Sequence, residues 1–183
     1  METLSDNELM LKVQLGDIDK MGLLYERYNR QLYRFLYNMT RQKELSEDLV
    51  HNVFIRMLKY NDGFRGQGEF RTWMYRVARN LVYDHFRKVG KTPAHTDVSE
   101  YETRIEGDYS SDSDLVKAEE LHLLEKAMKM LSIENRELLV LCRYQDLKYN
   151  EIALILNISE GAVKVRIHRA LTQLKSNYLK IDN

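Results

Sequence analysis

Apolar residues recur three and four positions apart through most of the chain, and this spacing predicts a protein built from α-helices. Ser5 and Glu8 form a capping-box pattern that opens a first helix, which Gly16 can close. A second helix follows, and its predicted apolar stripe comprises Leu23, Leu24, Tyr28, Leu32, Phe35 and Leu36. The chain is therefore expected to begin with two amphipathic helices.

A third helix is predicted from about residue 46 to residue 60. Its buried stripe comprises Leu49, Val50, Val53, Phe54, Met57 and Leu58. The residues that this stripe leaves partly or wholly outward are Glu47, Asp48, His51, Asn52 and Arg56. A solvated helix face is the default interpretation of such a polar set.

Residues 61 to 68, NDGFRGQG, contain three glycines in eight positions and are predicted to form a loop. Phe64 and Arg65 lie between these glycines, where neither has an obvious helical core to join. An aromatic ring on such a loop usually folds back over its domain. An aromatic residue beside arginine is, however, also what a stacking site for an unpaired base requires. The sequence leaves both interpretations open.

The next helix is predicted from Glu69 to about Lys88, and it carries two different stripes. The apolar stripe comprises Phe70, Trp73, Met74, Val77, Ala78 and Leu81. The second stripe, which we call the α4 polar face, comprises Arg76, Arg79, Asn80, Tyr83, Asp84 and Arg87. Phosphate binding alone would need only cations. The mixture of cation, amide, carboxylate and phenol therefore indicates base reading in an opened strand.

Charge is distributed unevenly, although 28 basic and 28 acidic residues give a net charge of zero. Residues 64 to 91 contain seven basic and two acidic residues, and residues 143 to 180 contain seven basic and three acidic residues. Residues 97 to 120 contain nine acidic and two basic residues. Helical spacing also disappears between Val89 and Asp114. We therefore expect two nucleic-acid-contacting domains joined by a flexible acidic linker over residues 90 to 114.

Residues 149 to 174 have the spacing of a helix-turn-helix. Ala153 is small where a second helix must cross, Asn157 tolerates the left-handed turn, and Ser159 is a good N-cap. The predicted inward stripe of the second helix comprises Val163, Ile167, Ala170, Leu171 and Leu174. We call the opposite and flanking set the α8 outer face, and it comprises Ser159, Gly161, Lys164, Val165, Arg166, His168 and Arg169. These side chains could reach base edges and phosphates, although an ordinary helical hairpin with a solvated basic face has the same pattern.

The sequence argues against an enzyme and against a membrane protein. Cys142 is the only cysteine, so a structural disulfide within the chain is excluded, and a small buried apolar residue is the expected role. The five histidines show no metal-ligand spacing, and no phosphate-binding glycine loop occurs, so no metal or cofactor is expected. No apolar run reaches the length of a membrane span, which favours a cytoplasmic protein.

Three motifs in order resemble bacterial sigma factors of the extracytoplasmic-function group, the smallest members of the sigma-70 family. SEDLVHNVF at residues 46 to 54 is similar to the segment that docks on core RNA polymerase. Residues 64 to 88 resemble the segment that melts and reads the minus-10 promoter element, and residues 149 to 171 resemble the helix-turn-helix that reads the minus-35 element. The resemblance implies an all-α fold with a region 2 domain at residues 1 to 89 and a region 4 domain at residues 115 to 183.

The resemblance also implies roles for individual residues. The residues that align with polymerase-contacting positions, which we call the α3 polar face, are Glu47, Asp48, His51 and Asn52. Those that align with minus-10 contacts are Phe64, Arg65, Phe70, Arg76, Arg79, Asn80, Tyr83, Asp84 and Arg87, and the α8 outer face aligns with minus-35 contacts. The implied partners are core RNA polymerase, promoter DNA and an anti-sigma factor.

A stand-alone helix-turn-helix regulator is the alternative function. It accounts for residues 149 to 174 but leaves the aromatic and basic segment at residues 64 to 88 without a role. Tight and specific duplex binding without polymerase would favour this alternative.

Overall fold

The structure is a computed structural model that describes residues 4–66, 68–90 and 112–182. The described residues form α-helices and no β-strand, which confirms the all-α prediction. The eight helices are α1 (Asp6–Gln14), α2 (Lys20–Thr40), α3 (Lys43–Lys59), α4 (Phe70–Lys88), α5 (Asp112–Lys129), α6 (Ile133–Leu139), α7 (Tyr149–Leu156) and α8 (Glu160–Asp182). Short 3-10 and π-helical turns lie at Asn61–Gly63 and Val140–Tyr144.

Helices α1 to α4 pack around one apolar core. The predicted capping box at the start of α1 is present, because Ser5 accepts from the backbone N–H of Glu8 and the Glu8 carboxylate accepts from that of Ser5. The predicted stripe of α2 is buried except for Leu23, which is 42% exposed, so that assignment was wrong. The buried residues of this stripe pack against the apolar faces of α1, α3 and α4.

Helix α3 begins at Lys43, three residues before the predicted start at Ser46. Arg41 adopts a left-handed conformation with φ of 57°, which ends α2 and turns the chain directly into α3. Ser46 is fully buried, and its Oγ lies 2.8 Å from Oγ1 of Thr40. The Ser46 hydroxyl also donates to the backbone oxygen of Gln42, so this serine stabilises the α2–α3 turn from inside the helix.

Helix α4 is buried on a wider arc than the sequence predicts. Phe70, Met74 and Ala78 are buried as expected, whereas Trp73, Val77 and Leu81 are only half-buried. The buried residues that the predicted stripe omits are Thr72, Tyr75, Val82 and Phe86. The reason is that α4 contacts α2 and α3 on one side and α7 on another.

Helices α5 to α8 form the C-terminal domain. Ser132 caps α6, since its hydroxyl accepts from the backbone N–H of Asn135. Asn157 ends α7 with φ of 54°, which confirms its predicted left-handed turn. Within the predicted inward stripe of α8, Leu171 is exposed, so that assignment was wrong.

The two domains are in contact, which the sequence does not indicate. Helix α4 packs against α7, and α2 packs against α6 and the π-helical turn. The predicted linker lies largely outside the described residues, and α5 begins at Asp112, before the predicted boundary at residue 115. No helix in the described ranges is long and apolar enough to span a membrane.

Candidate nucleic-acid interface

The helix-turn-helix is built by α7 and α8. Val163, Ile167 and Ala170 face inward and are almost fully buried. The Ser159 hydroxyl accepts from the backbone N–H of Ala162 at 3.2 Å, so α8 begins where the sequence predicts. The inward residues fix the rotation of α8 about its axis and therefore decide which side chains face solvent.

Every residue of the α8 outer face is exposed. Val165 is 51% exposed and adds an apolar surface of the kind that contacts a thymine methyl group. Lys164 forms an ion pair of 3.1 Å with Glu160, but both side chains are solvent-accessible and a phosphate could replace the carboxylate. The face thus combines base-reading chemistry with cations that suit phosphates.

The α4 polar face is only partly open. Asn80 and Arg87 are exposed. Asp84 accepts from Arg56 at 3.2 Å and from Arg87, which ties the end of this face to α3. This end of the face carries an amide, a carboxylate and a guanidinium side by side.

The other end of the α4 polar face contacts the C-terminal domain. Arg76 donates to the backbone oxygen of Leu154 at 2.7 Å. The Arg79 Nε lies 2.9 Å from a carboxylate oxygen of Glu137, and its guanidinium lies 4.5 Å from the ring centroid of Tyr83. The Tyr83 hydroxyl donates to the other Glu137 oxygen at 2.9 Å.

The aromatic loop is folded back into the N-terminal domain. Phe64 is 3% exposed and lies 5.4 Å from the ring of Trp73 and 6.2 Å from that of Phe70, while Arg65 is exposed. Gln14 holds the loop by donating to the backbone oxygens of Asn61 and Phe64. The fold-back alternative is confirmed for Phe64. Phe70 is also fully buried, so neither ring offers a stacking surface in this structure.

The α3 polar face is fully exposed, as the sequence predicts. His51 lies against Tyr25 of α2, with ring centroids 6.1 Å apart. Glu47 and Val50 line the same shallow groove between α2 and α3. The face therefore offers acidic, amide and imidazole groups beside an aromatic groove.

Comparisons with known proteins agree with this arrangement. A model of sigma-70 region 2 matches residues 24–92, and a model of sigma-70 region 4 matches residues 121–174. The extracytoplasmic-function RNA polymerase sigma factor SigW of Bacillus subtilis is 32% identical over 182 residues, covering 92% of this chain and 96% of that protein. The chain belongs to the extracytoplasmic-function family of sigma-70 factors. It is therefore a promoter-directing transcription initiation factor, a class that has no enzymatic activity of its own.

Two further likenesses extend the comparison. BldN of Streptomyces coelicolor, also named as a sigma factor of this group, is 31% identical over 168 residues, but the chain spans only 63% of that protein. The sigma factor RpoE in complex with the anti-sigma factor NepR from Bartonella quintana has a TM-score of 0.67 at 22% identity, covering 88% of this chain and 98% of that chain. This second likeness shows a shared fold.

Four residues of this sigma factor at the domain contact were missed by sequence reasoning. Arg71 donates to the backbone oxygen of Gln145, and the buried Tyr75 donates to the Gln145 side-chain oxygen at 2.6 Å. Glu137 is the fourth, and it is 1% exposed. The only sequence signal was the charged pair Arg136 and Glu137 directly before the apolar run at residues 138–142.

Burial gives Glu137 unusual acid–base behaviour. Loss of hydration raises the pKa of its carboxyl to about 7, although the Arg79 cation and the Tyr83 hydroxyl favour the ionised form. The same burial, with Glu137 beside it, raises the pKa of Tyr83. No group of side chains in the described ranges could hold a metal ion.

Proposed function

We propose that this sigma factor binds core RNA polymerase through the α3 polar face, reads the minus-35 element as duplex and reads the minus-10 element as melted strand. The α8 outer face would enter the major groove, and the α4 polar face would contact the opened strand. Polymerase supplies the catalysis, and the two domains of the chain supply promoter choice and strand opening.

The observation that supports duplex reading best is the division of α8 into two faces. Three inward residues are almost fully buried, while all seven residues of the α8 outer face remain in solvent. The set runs from residue 159 to residue 169, about three helical turns, and this length of mostly polar and basic surface matches the access that a major groove allows.

Melted-strand reading is supported by the chemistry of the α4 polar face. Asn80, Asp84 and Arg87 offer hydrogen-bond donors and acceptors that become useful only when base edges are unpaired. Capture of unpaired bases would offset the few kcal/mol that each unstacked base costs. Phe64 would have to leave its buried position to stack on a base, so we propose that the loop rearranges on DNA.

Run-off transcription with core polymerase on genomic fragments tests the overall function. We expect specific transcripts only when both proteins are present. The Lys164→Ala variant should lose upstream-element binding, whereas Lys175→Ala on the same helix, three turns away and equally exposed, should not. Equal losses in the two variants would remove the α8 outer face from the proposal.

The polymerase contact is tested separately. Asp48→Lys should weaken binding to core polymerase in a pull-down titration, because it reverses a charge on the α3 polar face. Asp62→Lys makes the same change at an exposed site outside that face and should bind normally. Normal binding by both variants would place the polymerase contact elsewhere.

We also propose that an anti-sigma factor restrains this chain. The support is its likeness to RpoE, which is known in complex with NepR. Purification of the tagged chain from its own cells should recover a partner that blocks run-off transcription when it is added back. A recovered partner without that effect would contradict the proposal.

A further inference from the structure

One face of α1 lies along the loop that carries Phe64. Asn7, Leu11 and Gln14 are spaced four and three positions apart, so they share this face, which we call the α1 loop face. We propose that Gln14 is a positioning residue for promoter opening, which holds the loop with Phe64 inward and releases it when the ring stacks on an unpaired base. The inference rests on the proposed function, in which this loop rearranges on DNA.

Gln14 fixes the backbone of the segment that turns Phe64 inward. Its side-chain amide donates to the backbone oxygens of Asn61 at 2.6 Å and of Phe64 at 2.5 Å. The backbone N–H of Phe64 also donates to the Asn61 oxygen at 3.0 Å. Phe64 is only 3% exposed, so its Cβ is inside the domain as well, and rotation of the side chain alone cannot bring the ring to the surface. The backbone must therefore rotate, and the Phe64 carbonyl must leave the Gln14 amide.

Asn7 anchors the other end of the loop, where α4 begins. Its side-chain nitrogen donates to the backbone oxygen of Gly68 at 3.0 Å, and its oxygen accepts from the backbone N–H of Phe70 at 2.8 Å. The side chain of Glu69, which precedes α4, makes no capping hydrogen bond in the described structure. Asn7 therefore caps α4 from a distant part of the sequence and keeps this end of the loop in place.

Leu11 lies between these two amides and covers the turn at Gly66. Gly66 has a φ of 68°, a left-handed conformation that favours glycine, and a Cβ added to it would lie 3.4 Å from Cδ2 of Leu11. Leu11 is nevertheless 41% exposed. The buried side of α1 is a different one and comprises Leu9, Met10 and Val13. Substitutions on the α1 loop face can therefore change the loop without opening the core.

This arrangement restrains a ring that would otherwise stack on many kinds of strand. Stacking on an aromatic side chain is tolerant of sequence, because every base has an aromatic face. A ring held inward stacks only where other contacts offset the lost hydrogen bonds of Gln14. Asn80, Asp84 and Arg87 of the α4 polar face supply such contacts in the proposed function. The hold therefore favours a promoter strand already placed on α4 over any other single strand.

The first measurement follows the ring in the free chain. Gln14→Met keeps a similar side-chain length and removes the N–H donor, and Gln31→Met makes the same change at an exposed position of α2 as the matched control. Trp73 is the only tryptophan, and its ring lies 5.4 Å from that of Phe64. Quenching of its fluorescence by acrylamide therefore reports whether Phe64 covers it, and thermal denaturation reports whether each variant folds.

The second measurement follows DNA binding by each chain in complex with core polymerase. The probe is a fluorescent promoter fragment recovered by run-off transcription, in which mismatches leave the minus-10 bases unpaired. We expect Gln14→Met to be quenched more strongly than the wild type and to bind this probe about three- to tenfold more tightly, the effect of losing about one hydrogen bond that opposes binding. Gln31→Met should match the wild type in both measurements. A merely structural defect would weaken binding, so a gain identifies the positioning role.

A second variant keeps the test informative if Gln14→Met does not fold. Leu11→Ala removes the contact with the Gly66 turn and should shift quenching and probe binding in the same directions.

Equal quenching of Gln14→Met and Gln31→Met would overturn the proposal, whatever the probe binding shows. Weaker probe binding by a folded Gln14→Met chain would also overturn it, because the amide would then support the loop on DNA. Stronger quenching with unchanged probe binding would reject the role of Gln14 in promoter opening, and it would trace the failure to the proposed stacking of Phe64 on a base.

Discussion

A fall in pH should favour the contact between the two domains, because it protonates the buried carboxyl of Glu137. In the closed chain, in which the two domains are in contact, the pKa of the Glu137 carboxyl is about 7, whereas its ordinary value is 4.5. The groups that act on it are the Arg79 cation and the Tyr83 hydroxyl of α4, and the Glu134 carboxylate of its own helix. A raised pKa means that the closed chain binds a proton more tightly than the open chain does. Closure is therefore fully favoured below pH 4.5 and loses this advantage as pH rises to about 7.

The magnitude follows from the difference between the two pKa values. At about 1.4 kcal/mol per pH unit, protonation of Glu137 shifts the equilibrium towards the closed chain by about 3 kcal/mol. The full shift over this difference is roughly three-hundredfold in the ratio of closed to open molecules. Such a change is large enough to move a marginal interface from mostly open to mostly closed.

X-ray scattering of the intact chain between pH 5 and pH 8 measures this effect. The wild-type radius of gyration should fall as pH falls, with the change centred between the two pKa values. Glu137→Gln keeps the shape of the protonated side chain and removes its titration. We expect this variant to stay compact at pH 8 and to show little pH dependence.

Two results would refute the reasoning. Expansion of the wild-type chain on acidification would mean that the Arg79 ion pair outweighs the cost of burying the carboxylate. An identical pH profile in the wild type and in Glu137→Gln would assign the dependence to other groups.

Three further predictions follow from single side chains. Trp73→Ala should lower the free energy of unfolding by about 2 to 3 kcal/mol, because the Trp73 ring packs on Phe64 and Phe70. Arg166 is exposed, so Arg166→Ala should reduce duplex binding while lowering the free energy of unfolding by less than about 0.5 kcal/mol. Equal losses of melting temperature in the two variants would contradict this assignment. Asn157→Gly should leave the melting temperature nearly unchanged, but Asn157→Val should lower the free energy of unfolding by about 1 to 2 kcal/mol, because valine disfavours a φ of 54°. Similar melting temperatures for the two variants would rule out backbone strain at this position. Ser132→Ala removes the hydrogen bond that caps α6 and should lower the free energy of unfolding by about 1 kcal/mol. An unchanged midpoint of urea unfolding would show that water replaces the cap.

Local signals explain why most helices could be predicted. The capping residues Ser5, Ser132 and Ser159 act within three or four positions of their partners, so their roles are visible in the sequence. Asn157 is readable for the same reason, since the turn needs a residue that tolerates positive φ. The start of α3 was predicted three residues too late, because the left-handed turn at Arg41 begins the helix early and places Ser46 inside the core.

Candidate contact surfaces were predictable where a helix has only one packed side. Helix α8 is such a case, because burial of Val163 and Ile167 leaves the opposite face in water. Helix α4 is not, because a second domain packs on it and buries Tyr75. The spacing of apolar residues predicts which side of a helix is buried, but it does not predict a polar partner such as Gln145, which lies 70 residues after Tyr75 in the sequence.

The sequence by itself determined the helices, their capped ends, the helix-turn-helix and the exposed basic face of α8, because each depends on residues one or two turns apart. Only the tertiary structure decided that Phe64 folds inward and that Glu137 meets Arg79 and Tyr83. Those outcomes depend on which surfaces of distant segments come together. The position of a charged side chain in the sequence does not reveal whether it will contact water, DNA or the other domain of the same chain.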